Sequence, residues 1–171
     1  LTQIIETAEA EGFVGLNVTH PFKIEAIQHL HSLSENARAV GAVNTIVLRN
    51  GRRKGHNTDL WGFEESFRRS MDGAALEDVL LLGAGGAGVA VGHALLSLGA
   101  GHLRVFDTDG DRAERLVEGL ATRFGAGRSA MAESPDHVAR CVAGFVNATP
   151  VGMSKLPGSP FPTALLRPDP V

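Results

Sequence analysis

Residues 79–100 read VLLLGAGGAGVAVGHALLSLGA, a wholly apolar run that passes through glycines directly into a helix-forming stretch. A strand with no polar face must be covered on both sides, which is the condition of a parallel sheet in an α/β fold. Gly83, Ala84, Gly85, Gly86, Ala87 and Gly88 then match G-x-G-x-x-G. In that pattern the first glycine makes a tight turn, the next lets a diphosphate approach the backbone, and the last lets the helix pack on the strand. The helix start offers free N–H groups and a positive dipole end to the anion. Asp107, 24 residues after Gly83, closes the next strand, where a carboxylate accepts hydrogen bonds from ribose hydroxyls and repels a 2′-phosphate. Asp109 and Asp111 add negative charge there, Thr108 stands where a phosphate would want an arginine, and Arg112 is the one nearby cation. The expected cofactor is NAD, with NADP as the alternative. Glycines that serve packing alone are the competing reading.

The same alternation continues with expected strands at 103–106 and 144–147 and helices at 112–124 and 135–141. Before it, residues 12–18 are strand-like, and Pro21 opens a segment with Ile24, Ile27 and Leu30 at helical spacing. Residues 42–49 and 54–58 flank Asn50-Gly51, a strong type I′ hairpin signal, and 60–71 reads as a helix with Trp61, Phe63 and Phe67 as its apolar set. Composition shifts near residue 73. The expected architecture is therefore an α/β chain in two parts: a partial substrate domain over 1–72 and a partial Rossmann-like dinucleotide-binding domain over 73–171.

The 171 residues carry 16 basic and 19 acidic side chains, a net charge of −3, which argues against nucleic acid or an anionic membrane as partner. No apolar run is long enough to span a bilayer, and the first residues show no basic region followed by an apolar stretch, so neither a membrane span nor secretion is expected. One cysteine, Cys141, forms no internal disulfide; it is expected in the core, and a cytoplasmic setting fits. The start at Leu1 and the proline-rich end RPDPV suggest a fragment of a longer chain. The basic hairpin tip reads as a solvated turn. His29 and His31, two apart on an expected helix, point in different directions, so no metal site is expected.

Lys23 follows NVTHPF, and Asp59 closes GHNTD. A lysine and an aspartate at strand ends suit an alcohol oxidation, because the hydroxyl proton must leave while hydride goes to a nicotinamide. Taken singly, a surface lysine and a helix N-cap aspartate are the commoner explanations.

NVTHPFK, GAVNT, GHNTDLWGF, GAGGAG and NATPVGM follow one another between residues 17 and 153. That set resembles the shikimate dehydrogenase family, and the HPFK and FDTD variants resemble its NAD-using quinate/shikimate branch. The resemblance implies a catalytic pair at Lys23 and Asp59, ring-hydroxyl contacts at Thr19 and Asn44, and cofactor contacts at Thr149 and Met153, the latter against the nicotinamide. It also implies departures. The family's serine-containing loop for the substrate carboxylate and its C-terminal glutamine have no counterpart here. The asparagine-arginine-threonine run of NADP-using members is replaced by Asp107-Thr108-Asp109. His20, beside the lysine, is a further candidate for substrate contact. The expected activity is hydride transfer between a small polyhydroxylated ring acid and NAD in an enzyme that a homodimer would suit. The rival is a catalytically silent nucleotide-binding regulatory module, for which keeping both Lys23 and Asp59 has no purpose. Among enzymes, a methylene-tetrahydrofolate-type dehydrogenase or a glutamyl-tRNA reductase domain is the runner-up, disfavoured by NVTHPFK with GHNTD.

Overall fold

The computed structural model describes residues 1–19 and 21–165; His20 and the RPDPV end lie outside the described residues. The chain forms two compact units, Leu1–Phe63 and Glu64–Val171. The division falls inside the helix α3 (Asp59–Ser70), whereas composition places the boundary near residue 73.

The first unit is a four-stranded mixed sheet in the order β1 (Gly15–Asn17), β3 (Thr45–Arg49), β4 (Arg52–His56), β2 (Ser32–Leu33), with helices α1 (Thr2–Ala10) and α2 (Glu35–Val40). Ile5 and Ala8 of α1, Ala26, Ala37 of α2, Val43, Ile46 and Leu48 form its buried core. Asn50 and Gly51 join β3 to β4 at φ 52° and 68°, the left-handed pair that a type I′ turn requires. Glu9 of α1 receives both ends of the Arg53 guanidinium at 3.0 and 2.6 Å, which ties the helix to β4 and holds the Glu9 carboxyl below its usual range. Both β1 and β4 run antiparallel to β3, so the segments leaving them emerge at one edge of the sheet, beside the start of β3.

Two expectations fail in this unit. The segment after Pro21 is a 3-10 helix, Glu25–His29, with Ile24 exposed and Ala26 fully buried. An α-helix would send the Ile27 N–H to the Lys23 carbonyl, but that carbonyl accepts from Val43 N–H at 2.8 Å. Ile27 N–H therefore bonds to the Ile24 carbonyl at 3.1 Å, an i→i+3 contact. His29 ends this helix and His31 lies beyond it, its Nδ1 accepting from Arg53 N–H at 2.9 Å. The helix α3 (Asp59–Ser70) starts at Asp59 and buries Leu60, while Trp61, about 100° further round, is 60% exposed.

The second unit is a parallel sheet in the order β7 (Ser129–Met131), β6 (His102–Phe106), β5 (Asp78–Leu82), β8 (Gly144–Asn147). The expected α/β class and parallel pairing are present. Leu80 and Leu82 point into a core with Ala132, Ala139 and Phe161. Helices α4 (Gly86–Ser97) and α5 (Gly110–Phe124) supply buried Ala90, Ala94, Leu95, Leu116 and Leu120, and Gly92 lets α4 come close to Leu81 and Leu103. The central strand is thus apolar throughout because both faces are buried. Helix α6 (Pro135–Val138) is a single turn, so the apolar positions fall to Val138, Ala139 and Val142, and Cys141 is exposed instead of buried in the core. Among the described residues no helix is long and apolar enough to cross a membrane, and no group of three or more His, Cys, Asp or Glu could hold a metal ion.

A Cβ on Gly88 would run into the Gly83 carbonyl oxygen and stand 2.7 Å from its carbon, both backbone atoms that cannot rotate away. Gly88→Ala is therefore expected to destabilise the protein by about 1–3 kcal/mol, as overpacking does. Denaturant unfolding with a wild-type midpoint would rule out so close a contact between α4 and the turn.

Candidate active site

Three segments meet at the edge of the first sheet. Lys23 follows β1, Asn44 precedes β3, and Asn57 to Asp59 follow β4. Backbone bonds join them: Val18 N–H to the Asn44 carbonyl at 2.8 Å, Val43 N–H to the Lys23 carbonyl at 2.8 Å, and Asn44 N–H to the His56 carbonyl at 3.0 Å. On this frame Lys23 Nζ donates to Asp59 Oδ2 at 2.8 Å. Asn44 Nδ2 donates to Asp59 Oδ1 at 2.9 Å and to Thr58 Oγ1 at 2.8 Å. The Asn44 side-chain oxygen accepts from Thr58 N–H and from Thr45 Oγ1, each at 3.1 Å. Both carboxylate oxygens of Asp59 are thereby held.

The Lys23 and Asp59 side chains are 23% and 36% exposed. An ion pair so open to water contributes at most about 1 kcal/mol to stability. What the pair provides is a fixed ammonium and carboxylate facing solvent, a donor and an acceptor that one substrate hydroxyl can engage together. Thr19 is exposed at the same edge, one residue beyond the Val18 bond to Asn44. The structure thus brings Lys23, Asn44 and Asp59 into direct contact, with Thr19 beside them.

Asn57 carries a role that motif reading overlooked. Its side-chain oxygen accepts from Asp59 N–H at 3.1 Å and Leu60 N–H at 3.3 Å, the pattern of a helix N-cap, and its Nδ2 donates to the Ala42 carbonyl at 3.1 Å. Asp59 is consequently the first residue of α3 and not its cap. An asparagine two residues before a helix start was the available signal.

In the second unit, the turn after β5 divides its glycines by task. Gly83 has φ 95°, and its Cβ would stand 3.0 Å from the Ala148 backbone. Gly85 differs: it has an ordinary φ of −74°, and a Cβ there would meet nothing within 4 Å. Neither backbone conformation nor packing demands a glycine at 85, so the space it leaves suits a ligand. Gly86, Ala87 and Gly88 form the first turn of α4, where N–H groups have no acceptor within the helix, and no acidic side chain occupies that turn. These residues fit the diphosphate of a dinucleotide.

Asp107, just past β6, accepts from Ala84 N–H at 2.6 Å and from Asp109 N–H at 2.9 Å, so it braces the glycine turn. Each oxygen keeps a lone pair for a further donor. Asp109 caps α5 and pairs with Arg112 Nε at 3.0 Å. After β8, Asn147 Oδ1 accepts from Thr149 N–H at 3.0 Å and Thr149 Oγ1 at 2.6 Å, and Asn147 Nδ2 donates to the Val151 carbonyl at 2.9 Å. That knot leaves Met153 63% exposed. The glycine turn, Asp107 and this loop all follow carboxyl ends of parallel strands, where ligands of open α/β sheets bind.

Residues 1–46 match the model of the shikimate dehydrogenase substrate binding domain. The chain is 51% identical over 168 residues to the shikimate dehydrogenase (NADP(+)) of Streptomyces avermitilis, covering 96% of this chain and 57% of that one. It is 38% identical over 171 residues to the quinate/shikimate dehydrogenase (NAD(+)) of Corynebacterium efficiens, covering 98% and 60%. Among solved structures, the quinate dehydrogenase from Corynebacterium glutamicum in complex with NAD superposes with a TM-score of 0.90 at 37% identity, covering 97% of this chain and 60% of that one. The chain thus spans less than two thirds of the length of these relatives. In sequence and in fold, it resembles the shikimate dehydrogenase family over the part of those proteins that it spans.

Proposed function

We propose that the protein is an NAD(P)-dependent oxidoreductase that interconverts shikimate and 3-dehydroshikimate, or quinate and 3-dehydroquinate. The observation that carries this reading is the Lys23–Asp59 pair at 2.8 Å, open to solvent and steadied by Asn44, in a chain whose glycine turn leaves room for a diphosphate. The names borne by relatives of both cofactor types are consistent with it.

Thr19 orients the ring hydroxyls, and Asn44 joins it by exchanging its bond to Thr58 Oγ1 for one to the substrate while it keeps hold of Asp59. Lys23 Nζ, as the neutral amine, takes the hydroxyl proton as an alcohol becomes a ketone and, as the ammonium so formed, returns it to the carbonyl oxygen in the reverse direction. Asp59 keeps the lysine in place and accepts a hydrogen bond from the same substrate. A bound nicotinamide dinucleotide supplies the hydride acceptor or donor. Gly83 to Gly88 would hold its diphosphate, Asp107 its adenosine ribose, and Thr149 and Met153 its nicotinamide end. The test is the appearance of reduced-nicotinamide absorbance when shikimate or quinate is added with NAD or NADP. Binding of dinucleotide without turnover of either acid would favour a regulatory module.

Lys23→Ala is expected to lower kcat by about a hundredfold or more, the usual worth of general acid–base catalysis, with a smaller change in KM. Near wild-type kcat in that variant would move the proton transfer to another group.

NAD is the favoured cofactor. Asp107 faces a 2′-phosphate with a like charge, Asp109 and Asp111 add to it, and Arg112 is already paired with Asp109. Replacing Asp107 with Asn and Thr108 with Arg together is expected to shift the NADP to NAD preference by about ten- to thirtyfold, the size of one charge-assisted contact. An unaltered ratio of kcat/KM values for the two cofactors would refute this assignment.

A further inference from the structure

Three consecutive residues hold both halves of the Lys23–Asp59 pair. The Val43 N–H grips the Lys23 carbonyl at 2.8 Å, the Asn44 side chain grips the Asp59 carboxylate at 2.9 Å, and the Ala42 carbonyl receives the Asn57 carboxamide at 3.1 Å. Ala42 and Val43 are 1% and 0% exposed, so this stretch is fixed in the core. Asn57, 3% exposed, carries that rigidity to the other side: its oxygen receives the N–H groups of Asp59 and Leu60.

A helix cap needs only the acceptor. Serine and aspartate cap about as well as asparagine, so α3 alone gives no reason for a carboxamide at 57. The Nδ2 donor to Ala42 is what the carboxamide adds, and it links the first residue of α3 to the stretch that also anchors Lys23. We infer that Asn57 is a positioning residue: through its bond to the Ala42 carbonyl it sets where Asp59 stands relative to Lys23, and thereby the rate of proton exchange with the substrate. This rests on the proposed oxidoreductase reading. Asn57 touches no reacting atom itself.

The two tasks of Asn57 separate in Asn57→Ser and Asn57→Asp, which keep an acceptor for α3 but lose the bond to Ala42, because the serine hydroxyl is too short to reach that carbonyl and the carboxylate has no donor. Both variants of the complete protein are compared with wild type by thermal melting and by steady-state kinetics with shikimate and with quinate. Rates are expressed per folded molecule, from circular dichroism of the same samples, so that lost stability cannot imitate lost rate. Melting temperatures are expected to fall by several degrees, because the buried Ala42 carbonyl loses its donor, while both variants stay folded at the assay temperature. The kcat of both variants is expected to fall about tenfold or more, the scale of a misplaced catalytic group, while KM moves far less. A purely structural cap would leave that split unmoved. Asn57→Ser with kcat per folded molecule within about twofold of wild type would overturn the inference while wild-type turnover upholds the oxidoreductase reading. Absence of turnover in wild type itself, with either cofactor, would overturn that reading and this inference with it.

Discussion

Everything that faces solvent at the edge of the first sheet hangs from the backbone of residues 42–44. Their peptide groups are consumed by three other segments: the end of β1 through Val18, the turn after it through Lys23, and the end of β4 through His56. Burial of Ala42 and Val43 makes these bonds expensive to lose, because an unpaired peptide group in the core costs about 1–3 kcal/mol. The same bonds explain local structure. The segment after Pro21 starts with one i→i+4 bond, Ala26 N–H to the Phe22 carbonyl, and then, where the Lys23 carbonyl binds Val43 N–H, continues as a 3-10 turn. An exposed lysine thus gains a fixed backbone, although its own ion pair contributes little to stability.

The second unit solves a different problem, how to keep a helix start bare of side chains without losing the contact between helix and strand. Gly83 and Gly88 meet the packing requirement, since any Cβ on either would press on backbone. Gly85 meets none that the protein itself imposes. The carboxylate of Asp107 spans from the end of β6 to the Ala84 N–H, so the acid that would face a ribose also stiffens the turn that would face the diphosphate. One charge would then serve both ends of a dinucleotide's adenosine half. A 2′-phosphate would meet that charge with no free cation in the same loop, because Arg112 is bound to Asp109.

Much of this was legible in the residues. The unbroken apolar strand at 79–82 requires cover on both faces, and Asn50-Gly51 requires a left-handed pair, so the parallel sheet and the hairpin follow from local chemistry alone. The motifs that carry the family resemblance named Lys23, Asn44 and Asp59 without any distance between them. Periodicity was a poor guide where elements are short. Strands β2 and β7 have two and three residues and show no alternation, and the single turn of α6 displaced Cys141 to the surface.

Residue types and their order along the chain were thus enough to determine the class of fold and the glycine turn, because each depends on a few neighbours in sequence. The candidate proton-exchanging pair was named by the family resemblance and not by local spacing. Only the tertiary structure decided that Lys23 and Asp59, 36 residues apart, share a hydrogen bond, that Asn44 rather than solvent holds the second carboxylate oxygen, and that Asn57 binds Ala42. Those contacts join segments brought together by strand pairing. A side chain's partner across a sheet edge depends on register and on which carbonyls remain free, and neither is written in the spacing of the residues themselves.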